Sequence, residues 1–278
     1  MGGQDASAQQ TVKSFQTPCG LTIAHLNKAE TEFVYREIFQ DRIYLRHGIT
    51  LRDGDVVFDV GANIGLFTIF VEENFPGVRV CAFEPSPQVY PILEANTAKY
   101  GSQVQLYPWG ISDASKQATF TYYPSYSIIS GFAPNERWNR ETIRSGLINQ
   151  WRERQPGKPL PRDQVIEPLV EKTLGSRQEF TCDLRSVSEA MAIAGVDRIA
   201  LLKIDAEGSE LEILRGIRAE DWPRIDQIAM EIHDADGQRA AETRRMLEEH
   251  GFQCVFEQDS RFQDTGIVNA YASRSMIS

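Results

Sequence analysis

A buried strand that turns abruptly into a helix constrains this chain more than any other stretch. Residues 56–65 read VVFDVGANIG. The apolar residues around Asp59 suit a strand covered on both faces, and Gly61 and Gly65 free the backbone for a tight turn into the next helix. That turn is a candidate ligand cradle. The run that follows, with Leu66, Phe67, Ile69, Phe70 and Val71, reads as a buried helix that stops at Pro76-Gly77. Residues 78–83 form a second apolar strand, ending at Glu84-Pro85, so the segment is a right-handed βαβ unit.

A chain of 278 residues can bury one large core together with a sizeable insertion. Its formal net charge of −10 makes it a poor match for nucleic acid, whose binding needs Lys and Arg to displace counterions. The four cysteines lie far apart, without a Cys-x-x-Cys pair, which disfavours a structural zinc site and fits reduced thiols. No apolar run approaches a membrane span and the first ten residues are polar, so a cytoplasmic location away from membranes is expected.

Residues 1–17 read as a loose arm, and 18–52 as an N-terminal helical segment in which AETEFVYREIF (29–39) carries a helical apolar pattern. Past the βαβ unit come a helix at 89–99, a strand at 104–106, a turn at 110–113 and a strand at 118–123. Residues 124–176 break the alternation with two helical patterns around a Pro/Gly-rich stretch, and read as an inserted lid. Alternation resumes with strands at 179–184, 199–204 and 225–232. Ser186 to Glu189 and Ser209 to Glu212 both have the capping-box pattern that opens a helix. The last segments, 253–257 and 267–272, suggest a closing pair of strands. The fold class expected is α/β, with a mostly parallel, doubly wound sheet and a helical lid.

In such a sheet the ligand lies beyond the carboxyl ends of the strands. The polar residues Asp59, Glu84, Ser112, Asp113, Asp205, Glu207, Glu231 and His233 fall at those ends. Glu84 comes about twenty residues after the glycine turn, where a carboxylate takes the two hydroxyls of a ribose. The glycines, however, lack the G-x-G-x-x-G spacing for a pyrophosphate. A cofactor with a ribose and a cation but no phosphate suits an acidic pocket, which points to S-adenosylmethionine.

DVGANIG (59–65), FEP (83–85) and LKIDAEGSE (202–210) together resemble the FkbM family of S-adenosylmethionine-dependent O-methyltransferases. The upstream block 27–39, with His47-Gly48-Ile49, is similar to O-methyltransferase domains embedded in modular polyketide synthases. The resemblance spans 18–273 and implies a Rossmann-like class I methyltransferase fold. It implies that Asp59, Gly61, Asn63 and Gly65 hold the methionine part, Glu84 the ribose, and Ser112 with Asp113 the adenine side. It also implies an acceptor β-hydroxyl on an acyl carrier protein thioester, among neighbouring polyketide synthase domains.

Methyl transfer to an alcohol needs the oxygen held in line with the methyl and its proton removed. Of four histidines, His233 stands at a strand end beside Glu231 and Asp205, and is the expected base, with one of these carboxylates orienting it. Asp205, Glu207 and Glu231 also allow an account in which a divalent metal polarises the hydroxyl. A sugar or other small alcohol is an alternative acceptor, and a non-catalytic cofactor-binding module an alternative role. The lid aromatics Tyr123, Tyr126, Phe132 and Trp138 are expected chiefly to pack the insertion on itself rather than to wall an acyl chain.

Overall fold

The computed structural model describes residues 13–124, 126–234, 237–258 and 266–274. Chain order begins with a hairpin, β1 (Lys13–Gln16) and β2 (Thr22–His25), then α1 (Lys28–Tyr35), which continues as a π-helical turn over Arg36–Gln40. Next come β3 (Val56–Val60), α2 (Leu66–Asn74), β4 (Arg79–Phe83), α3 (Tyr90–Thr97) and β5 (Val104–Tyr107). Two strands, β6 (Gly110–Ile111) and β7 (Lys116–Tyr122), lead into the helices α4 (Glu136–Arg154) and α5 (Asp163–Gly175). Then follow β8 (Gln178–Arg185), α6 (Val187–Ala194), β9 (Leu201–Ile204), α7 (Glu210–Arg215), β10 (Gln227–His233), α8 (Gln238–Glu249), β11 (Gln253–Glu257) and β12 (Ile267–Ser273).

The main sheet has seven strands in the order β11-β12-β10-β9-β3-β4-β5. Its five strands from β10 to β5 run parallel, and β12 is antiparallel to both neighbours. From β3 the chain winds outward through β4 and β5 and then returns to β9 on the other side. The carboxyl ends of β3 and β9 therefore flank the switch point where such sheets bind ligands. Both faces are covered, one by a cluster that includes Val57, Phe67 and Leu93, the other by one that includes Phe58, Leu202 and Ile228. At about 1.5–3 kcal/mol per fully buried apolar side chain, these two layers hold the strand ends in place.

Four sequence expectations change. Residues 13–16 are paired strand, not part of a loose arm; the remainder of that arm, 1–12, lies outside the described residues. Gly110 and Ile111 form β6 instead of a free turn. Strand β8 does not rejoin the main sheet: it pairs antiparallel with β7 and parallel with β6 in a separate three-stranded sheet, because the insertion is a β-hairpin extended by two helices. The capping box at Ser186 forms, whereas Ser209, with ψ at 12° instead of the extended value of a capping residue, makes no side-chain cap.

The insertion carries its own small core, with Tyr123, Ile129, Ile143, Ile166, Val170 and Leu174 buried together. Arg140 and Arg144 of α4 both reach Glu167 of α5, at 3.2 and 2.6 Å, and fix the helical pair. Its root is tied to β7 by reciprocal backbone hydrogen bonds between Thr121 and Gly131.

Candidate active site

The turn after β3 is set by two close approaches. A Cβ added at Gly61, where φ is +73°, would lie 1.8 Å from the Asp205 carbonyl oxygen. Gly61 thus lets the loops after β3 and β9 touch. Lys203, 3% exposed, fastens the same point by donating to the Gly61 carbonyl at 2.8 Å and pairing with Asp59 at 3.0 Å. The Thr68 hydroxyl donates to the other Asp59 oxygen at 2.7 Å. Burial would discharge Lys203, but Asp59 and Asp205 outweigh it and hold its amine above the ordinary value.

Glu84, at the end of β4, accepts the amides of Asn63 at 3.0 Å and Ser86 at 2.8 Å, one on each carboxylate oxygen. It stays poised at the cavity wall with lone pairs free for hydroxyls. Burial lifts its carboxyl to about 7, against the pull of those amides. A paired-hydroxyl ligand supplies the donors such a buried carboxylate lacks.

Across the switch point lies a buried charge cluster. His233, its side chain 7% exposed, has Nδ1 3.1 Å from Glu210 and Nε2 3.2 Å from Glu207 and 3.4 Å from Glu231. Burial alone would lower the imidazole pKa, yet the charges of Glu207 and Glu210 raise it well above its ordinary value. Burial pushes the Glu207 carboxyl up to about 8, and raises Glu231 as well. For Glu210 burial is overcome by His233 and the Gly208 amide, and its carboxyl is lowered. Glu207 holds its place with φ at +49°, a backbone conformation that costs a side-chain-bearing residue about 1–3 kcal/mol.

An open cavity joins the two halves. Gly61, Asn63 and Glu84 line it on one side and Asp205, Glu207 and Glu231 on the other, under an apolar roof of Ile128, Phe132 and Trp138 from the insertion and over Phe33 and Val34 from α1. Glu30 of α1, its pKa raised by burial, receives the Ser127 backbone amide at 3.1 Å and the Ser127 hydroxyl, joining floor to roof. Among the described residues no group of three or more His, Cys, Asp and Glu side chains is disposed to hold a metal ion, and no helix is long and apolar enough to cross a membrane.

The expected site residues separate into three groups. Gly61, Asn63, Glu84, Asp205, Glu207 and Glu231 meet at the cavity. Asp59, Gly65 and His233 stand behind it: Asp59 serves Lys203 and Thr68, Gly65 is the left-handed residue that opens α2, and His233 meets the cavity through Glu207 and Glu231. Ser112 and Asp113 lie outside, where Ser112 packs its carbonyl against Gly216 and the exposed Asp113 pairs with Lys116 at 2.5 Å. Asp205 orients Tyr44 at 2.9 Å instead of His233. Three residues that shape the site were missed. Glu210 hid inside an apparent cap, Lys203 inside a strand, and Tyr44 lies 161 residues from its partner; only the lysine, a charge in an apolar strand, left a local signal. Of the insertion's aromatics, Tyr123 and Tyr126 pack with its core, Phe132 faces the cavity, and Trp138 does both.

A parallel sheet with one antiparallel strand, a glycine turn at the switch point and a ribose-type carboxylate one strand away define a class I S-adenosylmethionine-dependent methyltransferase. Residues 59–254 match the Methyltransferase FkbM domain, and the chain belongs to that family. It is 39% identical over 264 residues to the 31-O-demethyl-FK506 methyltransferase FkbM of Streptomyces tacrolimicus, covering 95% of this chain and 98% of that one. It is 38% identical to part of the AMB antimetabolite synthetase AmbE of Pseudomonas aeruginosa, covering 97% of this chain but 13% of the synthetase. Methyltransferase 1 of Beauveria bassiana is 28% identical over 232 residues.

Proposed function

We propose that the protein methylates an aliphatic hydroxyl on an uncharged, largely apolar acceptor: the β-hydroxyl of a polyketide-type acyl chain held as a thioester on an acyl carrier protein. The observation that carries this reading is the pairing of apolar walls with buried carboxylates backed by His233 at the end of the cavity. Lys203 is the single cationic side chain among the lining residues and is already engaged, so an anionic acceptor would meet Glu30, Glu207 and Glu231 without a partner. The synthetase relative contains a similar stretch as a small part of its length, which supports action within a larger biosynthetic assembly.

S-adenosylmethionine supplies an electrophilic methyl group on a sulfonium. Gly61 and Asn63 shape the cradle for the methionine end and Glu84 accepts the ribose hydroxyls. The walls hold the acceptor oxygen toward the methyl, where orientation supplies much of the rate. Its proton passes to a carboxylate oxygen of Glu207, and the positively charged His233 behind it, with Nε2 3.2 Å away, offsets the carboxylate's charge. Glu210 keeps Nδ1 of His233 in its donating role. This moves the accepting atom from the imidazole to the carboxylate that stands between it and the cavity.

A hydroxyl on a finished small molecule is the second reading, favoured by the relative that acts on 31-O-demethyl-FK506 and matches nearly end to end. Methyl transfer from isotope-labelled S-adenosylmethionine to a 3-hydroxyacyl chain, offered on a carrier protein and as a free small thioester, separates the two. Faster labelling of the carrier-bound form, by about tenfold or more, supports the first. Equal labelling of both supports the second, and labelling of neither alongside a carboxylate-bearing alcohol that is methylated overturns both.

A further inference from the structure

The insertion does more than roof the cavity. Trp138 is the third residue of α4, and its backbone amide is fixed by the side chain of Asn135, the helix cap, at 3.0 Å. From there its indole meets the His233 ring edge to face, with ring centroids 4.6 Å apart and planes at 88°. Three ionisable neighbours of that imidazole come from the sheet side: Glu207 from the loop after β9, Glu210 from α7 and Glu231 from β10. Arg239 of α8 stands behind them, 3.6 Å from Glu210 and donating to the Gly208 carbonyl. Trp138 is the apolar cover on this arrangement. A second contact lies beside it: a Cβ at Gly131 would sit 3.1 Å from both the Glu207 Cβ and its carbonyl oxygen, so the root of the insertion packs closely on the strained residue.

We propose that Trp138 is a positioning residue for the Glu207–His233 pair, and that the insertion completes the proton-accepting centre by covering His233 with the indole while Gly131 confines the Glu207 backbone. The inference rests on the reading of Glu207 and His233 as that centre. Without the indole the imidazole turns or admits water, and the carboxylate it supports loses its aim; a misplacement of about 1 Å is enough to cost on the order of a hundredfold in rate. The acceptor can still bind, because the remaining apolar walls are intact.

The test compares Trp138→Leu, Trp138→Phe, Glu207→Gln and the double variant Trp138→Leu/Glu207→Gln, in the full chain at saturating S-adenosylmethionine. A 3-hydroxyacyl thioester serves as acceptor, and S-adenosylhomocysteine binding is followed by calorimetry. Trp138→Leu is expected to lower kcat by about 10- to 100-fold, and Trp138→Phe, which keeps an aromatic edge, to restore it to within about threefold. S-adenosylhomocysteine affinity should stay within about twofold, and the double variant should be no slower than Glu207→Gln alone. If Trp138→Leu disturbs folding, Trp138→Met carries the same comparison with Phe. A raised acceptor KM with unchanged kcat would make Trp138 a wall only and overturn the proposal, as would a Phe variant that folds yet matches Leu. Full turnover by Glu207→Gln would remove the underlying reading instead, an outcome distinct from either of these.

Discussion

The carboxyl ends of β3 and β4 and those of β9 and β10 face one cavity, yet they are built on opposite terms. The first pair works through shape: glycine at positive φ, backbone amides, and one carboxylate with both oxygens held by amides. The second crowds Asp205, Glu207, Glu210 and Glu231 around a histidine and a lysine, and there Glu207, Glu231 and His233 hold their protons more tightly than free side chains do. Holding a cofactor asks for a fixed surface. Taking a proton from an alcohol asks for groups whose affinity for protons has been raised, and burial among like charges supplies that.

Four substitutions and one titration test this contrast. Glu207→Gln should lower kcat by about 10²–10⁴-fold, the range for losing a positioned base, while S-adenosylhomocysteine binding is preserved in calorimetry. Gly61→Ala should do the reverse: a Cβ directed into the Asp205 carbonyl forces the two loops apart, and cofactor affinity should fall by about 100-fold or more along with a lower melting temperature. Glu84→Gln should weaken cofactor binding by about 10- to 100-fold, a hydrogen bond to a charged group being worth about 1.5–3 kcal/mol, with kcat at saturation little changed.

The titration concerns the ligand-free protein. The carboxyls of Glu84 and Glu207 have folded values raised to about 7 and about 8 from 4.5, so their contribution to stability is full below 4.5 and is lost as pH rises through those values. The melting temperature should therefore fall between pH 5 and pH 8, and Glu207→Gln should shrink that fall by about 2 °C or more. A melting curve unchanged by the substitution would mean the carboxyl is not strained by burial. The smallest effect belongs to Asp113→Ala, which should alter cofactor affinity by less than about twofold because Asp113 is exposed and paired with Lys116.

How far the sequence disclosed this contrast follows from distance along the chain. The cradle was legible because its parts are close together: the strand, the two glycines and Glu84 lie within thirty residues, and each has a local physical reason. The mostly parallel, doubly wound sheet followed from the same alternation, whereas the order of its strands did not. The charge cluster was legible only as a set of strand-end residues. Which carboxylate meets His233 is decided by how α7 leaves the β9 loop, and Glu210 reads equally well as a helix-opening residue. Ser112 and Asp113 fell at the expected place after β5, but the chain there enters the second sheet as β6 and turns them away from the cavity. The insertion was visible as a break in alternation, yet its strands β7 and β8 pair with each other across some sixty residues, and nothing local marks that partner.

The central claim is that the second region takes a proton from a hydroxyl while the first holds the methyl donor. Product analysis by mass spectrometry, with labelled S-adenosylmethionine and a 3-hydroxyacyl thioester, tests it most directly when wild type and Glu207→Gln are compared at matched cofactor occupancy. A labelled methyl ether at the hydroxyl is expected from the wild type, formed at least about 100-fold more slowly by Glu207→Gln. Equal ether formation by the two proteins, or label attached to carbon or nitrogen, would contradict it.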